Sequence, residues 1–122
     1  THGASFPDYS IDTWLEMAKR TMVLGQNGRL ALDYDMGIAD PFKSANEAPQ
    51  PDLWPAFKAF SDTPTLLLRG ELSNLLTEQT QSRMAREHGD LRTVTVPRVG
   101  HAPMLDEPES LAAIQALLAD IV

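Results

Sequence analysis

Apolar residues in the first part of the chain recur at helical spacing and then lose their periodicity. Residues 10–24, SIDTWLEMAKRTMVL, predict an amphipathic helix with Ser10 as its N-cap. The GQNG run at 25–28 interrupts the pattern. Residues 29–35 alternate between apolar and polar side chains, which predicts a short extended segment. Residues 36–52 contain three prolines and little periodicity, so they predict a long loop.

A short helix and a buried strand are predicted next. Residues 53–60 have helical character, with Asp52 placed as the N-cap and Pro55 in the first turn, where proline is tolerated. The run TPTLLLRG at 63–70 is apolar without alternation. A strand that is apolar on both faces is typical of the interior of a parallel sheet.

The remaining residues predict a helix, a strand and a last helix. Thr77 is placed to cap a helix over 78–88, which ends at Gly89. Residues 91–97, LRTVTVP, predict a second strand that proline closes. The last helix covers 109–122.

The start of the last helix carries its own signal. Asp106 and Glu109 have the spacing of a capping box, and Pro108 suits the first turn. The helix is expected to bury one apolar stripe against the sheet. That stripe consists of Leu111, Ile114, Leu118 and Ile121, with Leu117 beside it.

The order strand, helix, strand, helix predicts an α/β fold with a right-handed parallel crossover and a further helix packed on the sheet. Only two sheet strands are predicted, and both edges of so narrow a sheet are left unpaired. We therefore expect the 122 residues to be a piece of a larger α/β protein. A missing N-terminal half or another chain would complete the sheet.

The composition argues against several classes of protein. The formal net charge is −7 and no run of Lys or Arg forms a basic stripe, so we expect neither nucleic acid nor membrane as a partner. The absence of cysteine excludes disulfides, thiol nucleophiles and thiolate metal sites. No apolar run approaches the roughly 18 residues of a membrane span, and the first ten residues do not resemble a secretory signal. We expect a cytoplasmic location.

Two polar side chains follow the predicted strands, at the edge where open parallel sheets bind ligands. Asn74 lies in the segment after Gly70, and His101 lies in the loop after the second strand. One strand–helix–strand unit separates them. Adjacent parallel strands would therefore bring the two loops side by side.

Two segments of the chain resemble the C-terminal portion of α/β-hydrolase-fold enzymes: PTLLLRGELSNLLT at 64–77 and VTVPRVGHAPMLDEPES at 94–110. In that family a strand ending in Arg-Gly precedes the loop of the catalytic acid. The next strand precedes a Gly-His pair whose histidine is the catalytic base. The resemblance implies His101 as the base and Asn74 at the position of the acid.

The implied fold class is α/β, with a partial α/β-hydrolase fold. Residues 1–60 would be the end of the family's helical cap region and the segment returning from it. Residues 61–122 would be the C-terminal part of the core, a parallel strand–helix–strand–helix unit.

The activity that the resemblance implies is hydrolysis of an ester, lactone or related acyl or C–C bond by a nucleophile–His–acid triad. The family places its nucleophile on a Gly-x-Ser-x-Gly turn, which this chain lacks, and Gly3-Ala4-Ser5 leaves no room for a preceding strand. We expect the nucleophile to lie outside this chain and the isolated chain to be inactive. The resemblance implies a small ester-like substrate, no cofactor and no metal.

Asn74 departs from the family pattern. A carboxylate would accept the imidazole N–H and stabilise the imidazolium, whereas an amide carries no charge. Three readings stay open. Asn74 orients His101 weakly, Glu71 in the same loop substitutes as the acid, or the site is catalytically impaired.

A second hypothesis belongs to a different class of protein. The chain would then be a non-catalytic module that associates with a partner through its open sheet edge. Among the other polar residues, His88 is expected to be structural because it lies near a helix C-terminus. Asp33 and Asp35 have no histidine at ligand spacing, so a solvated face is expected there.

Overall fold

The computed structural model describes residues 3–43 and 51–121, which form two compact units. One unit holds Tyr9–Asp52. The other combines Thr1–Asp8 with Leu53–Val122 and contains the predicted parallel sheet. Residues 3–8 therefore pack with the second half of the chain, which no local pattern in the sequence indicates. The division at residue 60 into cap region and core stays a prediction.

In the first unit, the helix predicted from Ser10 forms but ends early. Helix α1 covers Ile11–Thr21, and the Ser10 hydroxyl accepts a 3.1 Å hydrogen bond from the backbone N–H of Thr13. The predicted continuation to residue 24 is wrong, because Met22–Leu24 form strand β1. This strand pairs antiparallel with β2, Leu30–Leu32, which confirms the predicted extended segment. Cross-strand bonds replace the last helical turn.

Part of the predicted long loop is helical. A 3-10 helix covers Met36–Ala39, and helix α2 covers Asp40–Lys43. The Asp35 carboxylate caps the 3-10 helix by accepting a 2.8 Å hydrogen bond from the backbone N–H of Gly37. A capping carboxylate can start a short helical turn without apolar periodicity, so the loop prediction is wrong here. Residues 44–50 of the predicted loop lie outside the described residues.

The second unit confirms the predicted order of strand, helix, strand and helix. Its elements are β3 (Thr65–Gly70), α4 (Glu78–Glu87), β4 (Leu91–Val96) and α5 (Pro108–Ile121), preceded by the short α3 (Trp54–Lys58). The two strands pair in parallel, from Thr65 opposite Leu91 to Gly70 opposite Val96. Helix α5 packs on both strands, and α4 packs on β4.

Helix caps in this unit follow the sequence in one case and depart from it in another. The Thr77 hydroxyl accepts a 3.1 Å hydrogen bond from the backbone N–H of Thr80, which confirms the predicted cap of α4. Leu53 occupies the N-cap position of α3 and makes no side-chain cap hydrogen bond. The prediction that Asp52 caps this helix is therefore wrong, because the helix starts one residue later than Asp52 requires. Pro55 lies in the first turn, as predicted.

The start of α5 uses a different carboxylate from the one predicted. Pro108 is its first residue, as expected, but Glu107 accepts a 2.7 Å hydrogen bond from the Ser110 hydroxyl. The described structure contains no hydrogen bond between Asp106 and Glu109. The capping-box prediction is therefore wrong, since the acceptor comes from the residue after Asp106.

The apolar stripe predicted for α5 is only partly covered. Ile114 and Leu117 are half-buried, and Ser110 is fully buried. Three stripe residues are 45%, 54% and 54% exposed, namely Leu111, Leu118 and Ile121. Their predicted burial is wrong because two strands are too narrow to cover the whole helix face. At 14 residues α5 is the longest helix described, and no described helix is long and apolar enough to cross a membrane.

Candidate active site

Two loops leave the carboxyl edge of the parallel sheet, and each carries one of the predicted site residues. The acid loop, residues 71–77, follows β3 and contains Asn74. The base loop, residues 97–107, follows β4 and contains His101. These names refer to the positions that the resemblance implies. Because β3 and β4 are neighbours in parallel register, the two loops start side by side, as predicted.

Backbone hydrogen bonds continue the parallel ladder into the loops. The N–H of Glu71 donates to the carbonyl of Val96 at 2.8 Å, and the N–H of Leu72 donates to the carbonyl of Val99 at 2.9 Å. The first residues of the acid loop are thereby fixed against the start of the base loop.

Gly70, the last residue of β3, permits this close approach. A Cβ atom at position 70 would overlap the backbone oxygens of Val99 and Gly100. Since those oxygens belong to backbone, no side-chain rotation can relieve the overlap. The glycine of the Arg-Gly pair is therefore required by the base loop, which passes directly over the end of the strand.

Arg69 holds the acid loop in shape. Its Nε donates to the carbonyl of Leu76 at 2.8 Å, and its Nη2 donates to the carbonyl of Glu71 at 3.2 Å. The guanidinium thus joins the two ends of the loop, on either side of Asn74. The Ser73 hydroxyl adds a turn bond by accepting from the backbone N–H of Leu76 at 3.0 Å. Ser73 therefore has a local backbone role.

Two carboxylates hold the base loop where its backbone is left-handed. Arg98 has φ of 56° and Leu105 has φ of 69°, a conformation that is unfavourable for residues with a Cβ atom. The backbone N–H of Arg98 donates to Glu71 Oε2 at 2.8 Å. The backbone N–H groups of Met104 and Leu105 donate to the Glu107 carboxylate at 2.7 and 3.0 Å. Charge-assisted bonds therefore compensate for the unfavourable backbone on both sides of His101.

The two predicted site residues lie in neighbouring loops but do not contact each other through a hydrogen bond. Asn74 and His101 are both exposed. In the part of the chain that the structure describes, no hydrogen bond joins their side chains. The roles that the resemblance implies for them stay predictions. Their exposure at the carboxyl edge leaves both accessible to a substrate or to another polypeptide segment.

Glu71, the alternative acid, has a defined partner. Its Oε2 accepts from the backbone of Arg98, and no hydrogen bond within the described ranges joins it to His101. The observed function of this carboxylate is to fasten the acid loop to the base loop. Its catalytic role also stays a prediction.

His88 has the structural role expected of it, but through a different interaction. The ring is 5% exposed, and its Nδ1 accepts a 3.1 Å hydrogen bond from the backbone N–H of Asp90. The ring centroid lies 5.4 Å from that of Phe57. His88 therefore closes the turn between α4 and β4 as an acceptor. Within 3–43 and 51–121, no three His, Asp or Glu side chains are grouped to hold a metal ion.

Sequence reasoning misses three residues that shape the site: Arg69, Asp8 and Glu107. A charged residue inside an otherwise apolar strand is rarely buried without a partner, so Arg69 carries a recognisable signal. Asp8 and Glu107 carry none, because their partners are defined only by the folded loops.

Solved structures that resemble this chain are hydrolases. An α/β hydrolase from Novosphingobium aromaticivorans is 53% identical and matches 96% of this chain with a TM-score of 0.84. E-2-(acetamidomethylene)succinate hydrolase is 22% identical and matches 98% of the chain with a TM-score of 0.65, a likeness of fold alone. The chain has a partial α/β-hydrolase fold and fits the C-terminal portion of that fold.

A curated relative extends the comparison. The 3-hydroxybutyrate-oligomer hydrolase of Cupriavidus necator is 33% identical over 119 residues, which is 92% of this chain. The chain spans 40% of that hydrolase and 41% and 42% of the two solved chains. No protein-family model matches the chain. More than half of each relative therefore has no counterpart in these 122 residues.

Proposed function

We propose that this chain contributes the base and its orienting residue to an α/β-hydrolase active site that cleaves ester, lactone or related acyl or C–C bonds. The observation that carries the proposal is the bonded pair of loops at the carboxyl edge of β3 and β4. One loop carries Asn74 and the other carries His101, as in the family's order of acid and base. The 53% identity to a solved α/β hydrolase supports the same assignment.

In the proposed mechanism His101 moves one proton twice. Its imidazole takes the proton from a nucleophilic hydroxyl outside this chain as that oxygen attacks the substrate carbonyl. The imidazolium then gives the proton to the leaving oxygen, and an acyl-enzyme forms. Water repeats the sequence, with His101 again as the base, and releases the acid. The Asn74 amide oxygen would accept the second imidazole N–H without offsetting its charge.

The proposed substrates are small molecules with an ester-like bond. Oligomers of 3-hydroxybutyrate, which the Cupriavidus relative is named for, are hydroxy acids joined by ester bonds. That chemistry supports the ester class for this chain, without selecting one compound within it.

We also propose that another polypeptide segment completes the sheet and covers α5. The parallel sheet has two strands, so each strand has one unpaired edge. Leu111, Leu118 and Ile121 expose about half of their surface on the helix that packs against it. In the proposed intact protein, the further strands of the hydrolase fold would satisfy both features.

A chimera tests the proposed activity. This chain would replace the matching segment of the Novosphingobium hydrolase, and the purified chimera would be assayed against a panel of p-nitrophenyl esters and lactones. We expect hydrolysis by the chimera and none by the isolated chain. His101→Ala should lower kcat/KM by at least about a thousandfold, as loss of a catalytic base does. Asp106→Asn, an exposed change in the same loop, is the matched control.

The outcome that contradicts the proposal is a folded, active chimera in which His101→Ala retains full activity. Asn74→Asp then separates the readings of position 74. A rise of up to about four orders of magnitude indicates an impaired acid position, as the converse change in a serine protease suggests. An unchanged rate indicates that the amide already orients His101.

A second candidate function is association without catalysis, which the exposed apolar residues of α5 favour. In that case neither the chimera nor its Asn74→Asp variant hydrolyses the panel. The isolated chain would instead self-associate in light scattering, and Leu118→Glu would return it to a monomer.

A further inference from the structure

Residues 3–8 are packed into the second unit although about 45 residues of chain separate them from its first helix. Gly3–Ser5 form a 3-10 helix, and Phe6 follows it. Phe6 is 6% exposed, and the other buried apolar side chains in the described residues are Val96 and Val99. The segment therefore supplies one of the few apolar anchors of this unit, next to the start of the base loop.

The first contact of the segment is with the residue before His101. A Cβ atom at Gly100 would lie 2.7 Å from Ser5 Cβ and 2.9 Å from the Ser5 carbonyl oxygen. It would also lie 3.3 Å from the Phe6 ring. Gly100 is buried, so the segment lies directly against the base-loop backbone. Ser5 has a packing role at this point.

The second contact is an ion pair with the base loop. Arg98 donates to both carboxylate oxygens of Asp8, through Nε to Oδ2 and through Nη2 to Oδ1 at 2.6 Å. The hydrogen bond from Arg98 lowers the pKa of Asp8, and the same pair raises the pKa of Arg98. The two side chains are 60% and 59% exposed. A bidentate pair is geometrically specific even where solvent weakens it.

We propose that residues 3–8 are a positioning segment for His101. The segment contacts the base loop on both sides of Val99, through Ser5 and Phe6 at Gly100 and through Asp8 at Arg98. It therefore fixes the backbone immediately before the histidine. The catalytic meaning of this contact rests on the proposed function, whereas the contact itself does not.

Residue-resolved amide hydrogen exchange of the isotope-labelled 122-residue chain tests the contact without any assay of activity. The Arg98 N–H, which is bonded to Glu71, reports on the base loop. We expect Asp8→Asn to speed its exchange about threefold and Phe6→Ala about tenfold or more, while the amides of α4 keep their rates. The ring signals of His101 should shift in both variants. Asp8→Glu should restore the original values.

Asp12→Asn, an exposed acid on the first turn of α1, is the matched control and should change nothing. If Phe6→Ala unfolds the whole chain, Asp8→Asn decides, because its exposed side chain is not needed for the core. Unchanged Arg98 exchange and unchanged His101 signals in Asp8→Asn would overturn the proposal.

The same changes in the active chimera give a kinetic readout. A positioning role predicts that Asp8→Asn lowers kcat several-fold with KM unchanged, and that Asp8→Glu rescues it. An unchanged kcat contradicts the positioning role. If the chimera is inactive, the proposed function fails, but hydrogen exchange still decides whether residues 3–8 hold the base loop.

Discussion

The Glu71 carboxylate accepts a 2.8 Å hydrogen bond from the backbone N–H of Arg98, so a side chain of the acid loop holds the backbone of the base loop. This bond spans the two places where the family resemblance puts acid and base. It acts where Arg98 adopts a left-handed conformation with φ of 56°. Glu71 therefore stabilises a backbone turn that an arginine would not otherwise favour.

Removal of this carboxylate should loosen the base loop. We expect Glu71→Ala to speed amide hydrogen exchange at Arg98 about tenfold, because a charge-assisted hydrogen bond is lost. Glu71→Gln keeps an acceptor oxygen without the charge and should give an intermediate rate. Asp62→Asn, at an exposed position before β3, serves as the control. Equal exchange rates in all four proteins would show that Glu71 does not hold the loop.

Arg69 should be sensitive to a change that keeps its charge. Lysine can donate to one carbonyl from a single point, but it cannot bridge Leu76 and Glu71 as the guanidinium does. We expect Arg69→Lys to lower the free energy of unfolding by about 1–3 kcal/mol, measured by urea denaturation. Arg92→Lys is the matched control. Arg92 pairs with Asp120, and their side chains are 41% and 62% exposed.

The two arginine variants should therefore differ in effect. An exposed ion pair contributes at most about 1 kcal/mol, so Arg92→Lys should be close to neutral. Equal destabilisation by both changes would mean that the bridge across the acid loop adds nothing to the stability of the fold.

The sequence predicts the second half of the chain better than the first for a physical reason. Strand β3, helix α4 and strand β4 are long enough for a period to appear, and Thr77 marks the start of the helix. Strands β1 and β2 have three residues each, which is too short for a recognisable alternation. The last turn of the predicted first helix is consequently lost to β1.

The predicted stripe of α5 shows a second limit. Periodicity identifies the helix face that would be buried, but it does not show whether enough sheet exists to bury it. Leu118 satisfies the pattern and is still 54% exposed. The pattern therefore predicts the orientation of the helix and not the extent of its core.

The candidate site shows a third limit. Strand ends locate Asn74 and His101, because ligand sites in parallel sheets follow strand ends. The pair Asp8–Arg98 joins residues 90 positions apart, and neither residue carries a local signal. Long-range polar contacts of this kind appear only once the backbone has folded.

Glu107 should contribute more to stability than its neighbouring acids. Its carboxylate accepts from two backbone N–H groups and from the fully buried Ser110 hydroxyl. Glu107→Ala leaves these donors without that acceptor, so we expect a loss of about 2–3 kcal/mol in the free energy of unfolding. Glu109→Ala, an exposed acid on the first turn of the same helix, should lose at most about 1 kcal/mol. Equal losses would contradict a special role for Glu107.

Glu87 should make stability depend on pH in the acid range. Hydrogen bonds from Lys58, and then from Arg83, lower the pKa of Glu87 from its ordinary value of 4.5. A carboxyl group whose pKa is lower in the folded chain stabilises the fold above its unfolded pKa. That stabilisation is lost as the pH falls through the folded pKa, so the loss lies below about pH 4.5.

Glu87→Gln should remove this part of the pH dependence, so its urea unfolding curve should shift less than that of the original chain between pH 5 and pH 3 (both about one unit or more from the ordinary value). Glu16→Gln is the matched control. Lys19 also lowers the pKa of Glu16, but that pair is 70% and 59% exposed, against 22% for Glu87. Solvent screening should therefore leave Glu16→Gln close to the original profile. If Glu87→Gln also retains that profile, its pairing with Lys58 and Arg83 contributes nothing to stability.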